Sequence, residues 1–154
     1  MDDDNRSSIE ADVTTRALAW QALRRAHARV AARLESALLD RFGLSVNEFD
    51  VLFELQHRLE QDRTARIHEL LEVVPLSQPA LSRLLARLEA RGLLARCPAS
   101  EDRRGILVRI TDHGMNIIDD ATRLYVQTVD DCLTSRLSDD EQVALLTLLR
   151  RVGE

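Results

Sequence analysis

The sequence predicts a mainly α-helical fold with a small antiparallel sheet of two or three strands. Aromatic residues make up only 3% of the 154 residues, and there are only five glycines and three prolines. This composition favours helices, because strands are rich in aromatic and β-branched residues and turns are rich in glycine and proline. Apolar residues recur at spacings of three and four along most of the chain, and they alternate clearly only near residues 106–111.

The N-terminal third of the chain predicts one long helix. Residues 1–8 are polar, and a disordered tail is expected for residues 1–9. The helix is predicted for residues 10–42 and ends before Gly43, since glycine commonly terminates helices. Its apolar stripe is formed by Trp20, Leu23, His27, Val30, Leu34 and Leu38.

Three shorter helices are predicted next. The pair Ser45 and Glu48 has the spacing of a capping box and opens the second helix. The segment "ARIHELLEVV" (65–74) predicts the third helix, which closes before a proline. Ser77 is predicted to cap the fourth helix, and Gly92 to end it.

A hairpin and two further helices complete the chain. Strands are predicted for residues 93–97 and 106–111, and a helix for about 112–136. A second capping box, "SDDE" (138–141), opens the last helix. Three helices followed by a hairpin, with long helices on both sides, predict a winged helix-turn-helix domain at 43–111. Residues 10–42 and 112–154 are then expected to form a helical dimerisation arm.

The fourth helix has the two faces that a DNA recognition helix needs. Leu81, Leu84, Leu85 and Leu88 fall on one side. The opposite side is narrow and cationic, as a helix in a major groove about 12 Å wide must be. Its candidate DNA contacts are Ser82, Arg83 and Arg87. Ser77 and Gln78, at the start of the helix, are expected to bind phosphate. The alternative is that this side is a solvated helix face.

Positive charge is concentrated in the predicted fourth helix and the hairpin that follows it. Residues 77–109 contain seven arginines and three acidic residues, a net charge of +4 within a chain of net charge −5. A cationic module on an anionic chain favours a polyanionic partner. A winged-helix module that binds another protein is the alternative, and it has no need of this positive charge.

The stretch "CPASEDRRGILVRIT" (97–111) contributes charge at the hairpin tip. A hairpin beside a recognition helix can reach the neighbouring minor groove, where negative potential attracts arginine. We expect Asp102 to orient Arg104, and Arg103 to contact phosphate. The alternative is a surface ion pair in a turn.

These motifs resemble those of the multiple-antibiotic-resistance regulator (MarR) family. The resemblance rests on "LSQPALSRLLARLEARGLLARCPASEDRRGILVRITDHG" (76–114) and "GLSVNEFDVLFEL" (43–55). It implies a dimeric, ligand-responsive transcriptional regulator, most often a repressor. It also implies that the five recognition-helix residues contact the major groove and that Asp102 and Arg104 match the family's Asp-x-Arg wing pair. The segment "LLEVVPLS" (70–77) departs from the family's usual turn.

The apolar stripes of the first and last helices predict a homodimer. The small central module cannot cover all of them, and exposed apolar surface costs about 25 cal/mol per Å². A two-fold dimer presents its recognition helices about 34 Å apart and reads palindromic operator DNA.

The resemblance further implies a small-molecule effector. Trp20 and Asp50 resemble residues of the family's urate-responsive branch, where an arginine near the recognition helix completes the site. Arg83, Arg91 or Arg96 could be that arginine. An anionic aromatic ligand is therefore expected near Trp20. The alternatives are a core or dimer-seam tryptophan and a surface carboxylate.

Other classes of function find less support. Cys97, next to Arg96, is the candidate for an alternative redox switch, whereas Cys132 is expected to be a core thiol. The four histidines have no metal-site spacing, and no phosphate loop or nucleophile motif is present. We expect no cofactor, no metal and no enzymatic activity. The acidic start and the absence of a long apolar run predict a cytoplasmic protein without a membrane span.

Overall fold

The computed structural model describes the backbone of residues 3–58, 63–98 and 106–153, and the side chains of residues 14–58, 63–98 and 107–152. Six α-helices and a three-stranded sheet make up the described chain, which confirms the predicted fold class. The elements in order are α1 Asp3–Phe42, α2 Val46–His57, β1 Thr64–Arg66, α3 Ile67–Val73, α4 Gln78–Ala90, β2 Leu94–Pro98, β3 Ile106–Ile110, α5 Asp112–Cys132 and α6 Asp139–Gly153, with a 3₁₀ turn at Thr134–Arg136.

The chain divides into two compact units. One contains the residues up to Arg33 together with those from Thr128 onwards, and the other contains Leu34–Gln127. We call the second one the central unit; it holds α2, α3, α4, the sheet and most of α5. The boundaries of the units fall inside α1 and α5, whereas the domain boundaries predicted from the sequence fall at the ends of helices.

The sheet of the central unit has one more strand than the hairpin supplies. Its order is β1-β3-β2, with both neighbouring pairs antiparallel. The third helix was predicted for residues 65–74, and its predicted start was wrong. Thr64–Arg66 forms strand β1 instead, which pairs with residues 107–109 of β3. Tertiary pairing overrides helix propensity here, and the Ala65 side chain is buried.

The core of the central unit is rich in leucine. The predicted apolar side of α4 is confirmed: Leu81, Leu84, Leu85 and Leu88 are at most 2% exposed. They pack in one cluster with buried residues of α2, α3 and the sheet. The face of α4 opposite these leucines is therefore the face that remains for a partner.

The helix ends predicted at Gly43 and Gly92 are confirmed. Gly43 and Gly92 have φ values of +62° and +70°, a region that glycine enters without strain, and they end α1 and α4. At Gly92 the amides of Gly92 and Leu93 bond the carbonyls of Glu89 and Leu88, which is a Schellman motif. Both predicted capping boxes form, at Ser45 with Glu48 and at Ser138 with Glu141.

Two other expectations need correction. Helix α1 begins at Asp3, so the expected disordered tail does not cover residues 3–9. Acidic residues near the start of the sequence suit the positive end of a helix dipole. Helix α5 ends at Cys132 rather than near residue 136, because Leu133 leaves the helical conformation at φ −133° and ψ −66°. Within the described ranges, no helix combines the length and apolar character that a bilayer crossing requires.

Candidate DNA-binding surface

The outer face of α4 carries the exposed polar side chains that the sequence predicts. Gln78, Arg83 and Arg87 are exposed, and Ser82 is half-buried. Ala86 is exposed between the two arginines, so the face stays narrow enough for a groove. Arg83 forms no ion pair with any residue that the structure describes.

Ser77 stands at the N-cap of α4 but does not cap it with its side chain. Its backbone is extended, at φ −71° and ψ 154°, and its hydroxyl forms no capping bond. The expected side-chain cap was therefore wrong. An N-cap hydroxyl normally accepts from the second or third helical amide, and the second helical residue is Pro79, which has no amide hydrogen. The exposed Ser77 hydroxyl is left for another partner.

Arg87 is held by a carboxylate from outside the helix. Its Nε donates to Glu48 Oε1 at 3.1 Å. The Glu48 side chain is 7% exposed and the Arg87 side chain 60% exposed, so the anionic end of this pair is buried and the cationic end reaches solvent. Sequence analysis identified Glu48 only as a helix cap and missed this contact with α4.

Two of the arginines considered for an effector site have internal partners. Arg91 donates to the carbonyls of Gly43 and Phe42 at 2.7 and 2.8 Å. Arg96 donates to Glu89 Oε2 at 2.9 Å. A count of charges along the sequence therefore overstates the cationic groups that face outwards in this region.

The wing is the hairpin formed by β2 and β3, and the structure describes both strands. Strands β2 and β3 pair from Leu94–Ile110 to Pro98–Ile106. Asp102, Arg103 and Arg104, the predicted wing contacts, lie outside the described residues, so their contribution to DNA binding stays a prediction.

The two predicted effector residues have different surroundings. Trp20 belongs to the unit formed by the chain ends and is 60% exposed. Asp50 belongs to the central unit and is half-buried, and burial raises the pKa of its carboxyl above the ordinary value of 3.8. Burial also raises the pKa of Tyr125, and the negative charge of Asp50 raises it further.

An aromatic row lies beside Asp50 in the central unit. The Phe49 ring stacks on Tyr125, with centroids 4.5 Å apart, and on Phe53, with centroids 5.6 Å apart. Phe53 in turn contacts the His57 ring at 4.2 Å. Sequence analysis did not identify this row, because Tyr125 is far from the other three residues along the chain.

A cavity of about 630 Å³ opens at the end of this row. Its lining combines rings, a thioether, an amide, a carboxylate and guanidinium groups, from Phe53, Gln56, His57, Arg63, Met115, Asp119, Thr122 and Arg123. The Thr122 hydroxyl is buried and has no hydrogen-bond partner among the described residues. Such a cavity suits a small ring compound with polar substituents.

Neither cysteine is in a disulfide bond. Cys97 is half-buried and its thiol donates to the carbonyl of Leu107 at 3.7 Å, while Cys132 is buried as expected. Among the residues that the structure describes, no group of three or more His, Cys, Asp or Glu side chains could hold a metal ion.

Comparison with known proteins defines the class. The model of the MarR family matches residues 42–105. The chain is 31% identical over 127 residues to the transcriptional regulator PecS of Dickeya dadantii, an alignment that covers 80% of this chain and 75% of PecS. The fold and these matches define a winged-helix transcriptional regulator. The chain belongs to the MarR family.

Solved structures agree with this assignment. The MarR family regulator Sco3205 of Streptomyces coelicolor, solved in complex with DNA, superposes with a TM-score of 0.82 at 25% identity, over 90% of this chain and 85% of Sco3205. Bordetella bronchiseptica BpsR, whose DNA binding is regulated by 6-hydroxynicotinic acid, superposes with a TM-score of 0.75 at 26% identity, over 87% of this chain and 91% of BpsR.

Proposed function

We propose that this chain binds palindromic operator DNA as a homodimer, with α4 in the major groove. The observation that carries the proposal is the division of α4 into a leucine side, at most 2% exposed, and an outer side with exposed Arg83 and Arg87. Ser77, Gln78 and Ser82 extend this surface towards the start of the helix, where backbone amides favour phosphate. The DNA complex of the similar Sco3205 supports this assignment.

The wing extends the proposed contact to the minor groove. Asp102 would orient Arg104 there, and Arg103 would bind phosphate. We further propose that the bound dimer represses neighbouring genes and that the protein works in the cytoplasm, where its operator lies.

Replacing Arg83 and Arg104 by alanine tests DNA binding. The duplex is selected from random DNA by the wild-type protein, and affinity is measured by fluorescence anisotropy over a range of salt concentrations. Arg83→Ala is expected to lose about 1–3 kcal/mol of discrimination between the selected and a scrambled duplex. Arg104→Ala is expected to reduce A·T preference and the salt dependence of binding.

Arg136→Ala is the matched control, since it removes the same charge from an exposed position outside the proposed surface. If neither Arg83→Ala nor Arg104→Ala differs from this control, the DNA-binding proposal fails. A protein-interaction module would then explain the fold better.

We also propose that an anionic aromatic effector releases the DNA. The cavity beside Phe53 and His57 supports this proposal through its rings and through Arg63 and Arg123, two cationic groups against the one carboxylate of its lining, Asp119. The regulation of the similar BpsR by 6-hydroxynicotinic acid also supports it. Trp20 and Asp50 remain the residues that we propose to respond to the effector.

Titration with urate, salicylate and 6-hydroxynicotinate tests this proposal. An active compound should bind in calorimetry, change the fluorescence of the only tryptophan, Trp20, and weaken DNA binding. Trp20→Phe and Asp50→Asn should each weaken its binding. The absence of heat and of DNA release with all three compounds would contradict an effector of this class.

A further inference from the structure

We propose that Glu48 is a positioning residue for DNA recognition, because its buried carboxylate fixes the Arg87 side chain on the outer face of α4. This inference rests on the proposed function of α4 as the recognition helix. Glu48 lies at the start of α2 and is 39 positions from Arg87 in the sequence.

The carboxylate of Glu48 is placed by its own helix. Its Oε2 accepts from the backbone amide of Ser45 at 3.0 Å, and the Ser45 hydroxyl accepts from the Glu48 amide at 3.2 Å. The bond from the Ser45 backbone amide, which Ser45→Ala keeps, leaves the carboxylate little freedom, and only Oε1 remains to face α4. A buried carboxylate needs a charged partner, which Arg87 supplies.

The contact leaves the binding end of Arg87 free. The pair is joined through Nε, and this is the only side-chain hydrogen bond of Arg87 to a described residue. The two terminal nitrogens can therefore form a bidentate bond with guanine or with phosphate. Arginine has high rotamer entropy, so a side chain already held in place loses less freedom when DNA binds.

Arg83 provides an internal comparison. It lies one helical turn before Arg87 on the same face, and it has no ion pair among the described residues. A general electrostatic effect of Glu48 would act on both arginines, whereas positioning acts on Arg87 alone. The direction of the change separates positioning from competition: if the carboxylate competed with DNA for Arg87, its removal would tighten binding.

The test uses Glu48→Gln, which keeps the capping box because glutamine can still accept from the Ser45 amide. It removes the charged acceptor of Arg87. Ser45→Ala is the matched control: it removes the hydroxyl bond of the capping box and keeps the carboxylate beside Arg87. Each variant, and each combination of Glu48→Gln with Arg87→Ala or Arg83→Ala, is tested on the duplex selected by the wild-type protein and on a scrambled duplex.

Glu48→Gln is expected to weaken binding of the selected duplex by about twofold to tenfold and to reduce its preference over the scrambled duplex. The effect should persist with Arg83→Ala and disappear with Arg87→Ala. Ser45→Ala should lower the thermal stability and leave the affinity unchanged. Affinities are compared well below the melting temperature of each variant, so that the folded fraction is the same.

Three outcomes would overturn the inference: unchanged or tighter binding by Glu48→Gln, a loss that persists in the Arg87→Ala background, or an equal loss with Ser45→Ala. In all three, Arg87→Ala still weakens binding and the proposed function stands. If neither Arg87→Ala nor Arg83→Ala changes binding, the proposed function itself fails and this inference fails with it.

Discussion

Asp50 and Tyr125 are coupled ionisable side chains within the central unit. Both are partly removed from water, and the charge of Asp50 disfavours the phenolate form of Tyr125. The stacking of Phe49 on Tyr125 keeps the phenol ring in place next to α2. The chain has a single tyrosine, so its titration can be followed without overlap.

We predict that Asp50→Asn lowers the pKa of Tyr125. Removing the negative charge makes the phenolate easier to form, while burial still holds the pKa above the ordinary value of 10.0. Phenolate absorbance as a function of pH measures the shift, with circular dichroism recorded in parallel to show that the chain stays folded.

Asp112→Asn serves as the control for the titration. Asp112 is exposed in the first turn of α5, about 20 Å along the helix from Tyr125. It should leave the phenol titration unchanged. An unchanged pKa in Asp50→Asn would show that the two groups do not interact.

The arginines in and just after α4 show which residue contacts could not be predicted from the sequence. The helical spacing of the leucines correctly predicted which side of α4 is exposed. It could not separate Arg83 from Arg87, since Glu48 lies on another helix. Nor could it reveal that Arg91 bonds the end of α1, because that contact spans 48 positions in the sequence.

At the scale of elements, the start of α5 depends on Gly114. A Cβ atom added there would lie 2.3 Å from the carbonyl oxygen of Leu93 and 2.8 Å from Ile110 Cγ1. The Thr111 hydroxyl, which accepts from the Gly114 amide and donates to the Gly92 carbonyl, ties the same helix start to the end of α4. These contacts join the wing strands to α5.

We predict that Gly114→Ala destabilises the protein by about 1–3 kcal/mol or more, because a backbone carbonyl cannot move aside as a flexible side chain can. Chemical denaturation followed by circular dichroism measures the loss. Asn116→Ala, at an exposed position two residues further along α5, should change stability by less than about 0.5 kcal/mol. Equal stability of the two variants would contradict the close packing at Gly114.

Most helices and strands could be predicted from the spacing of apolar residues and from the capping residues at the helix ends. Strand β1 did not, because its three residues are too few for alternation to be recognised and its pairing with β3 joins segments far apart in the chain. The start of α1 was also missed, since its first turns lack the apolar stripe that marked the rest of the helix. Long amphipathic elements were thus predictable, and short or polar ones were not.

At the scale of the whole molecule, the unit formed by the chain ends exposes many large apolar side chains. They lie on α1 and α6: Leu18, Trp20, Leu23, Val143, Leu146, Leu148, Leu149 and Val152. Several are more than half exposed, including Val152 at 79%. An apolar surface of this kind favours association.

We predict a homodimer at micromolar concentration, with Leu146→Glu shifting it towards the monomer because a carboxylate cannot be buried in an apolar interface without a large cost. Light scattering coupled to size exclusion measures the mass. Thr147→Glu, at the neighbouring exposed position, is the control with the same added charge. A wild-type monomer, or equal dissociation of both variants, would contradict the proposed dimer surface.

Arg87 is held by an ion pair with Glu48, whereas Arg83 has no ion pair among the described residues. This difference affects how readily each position can change during evolution. If α4 reads operator DNA as proposed, a duplicated gene could acquire a new target sequence through one substitution at Arg83, because no ion pair with a described residue is broken there. A change at Arg87 would leave the buried carboxylate of Glu48 without its ion-pair partner, so it is expected to lower stability as well as to alter DNA binding. Substitutions at Arg83 are therefore expected to be tolerated more readily, and Arg87 is expected to change more slowly among the proteins that descend from this one.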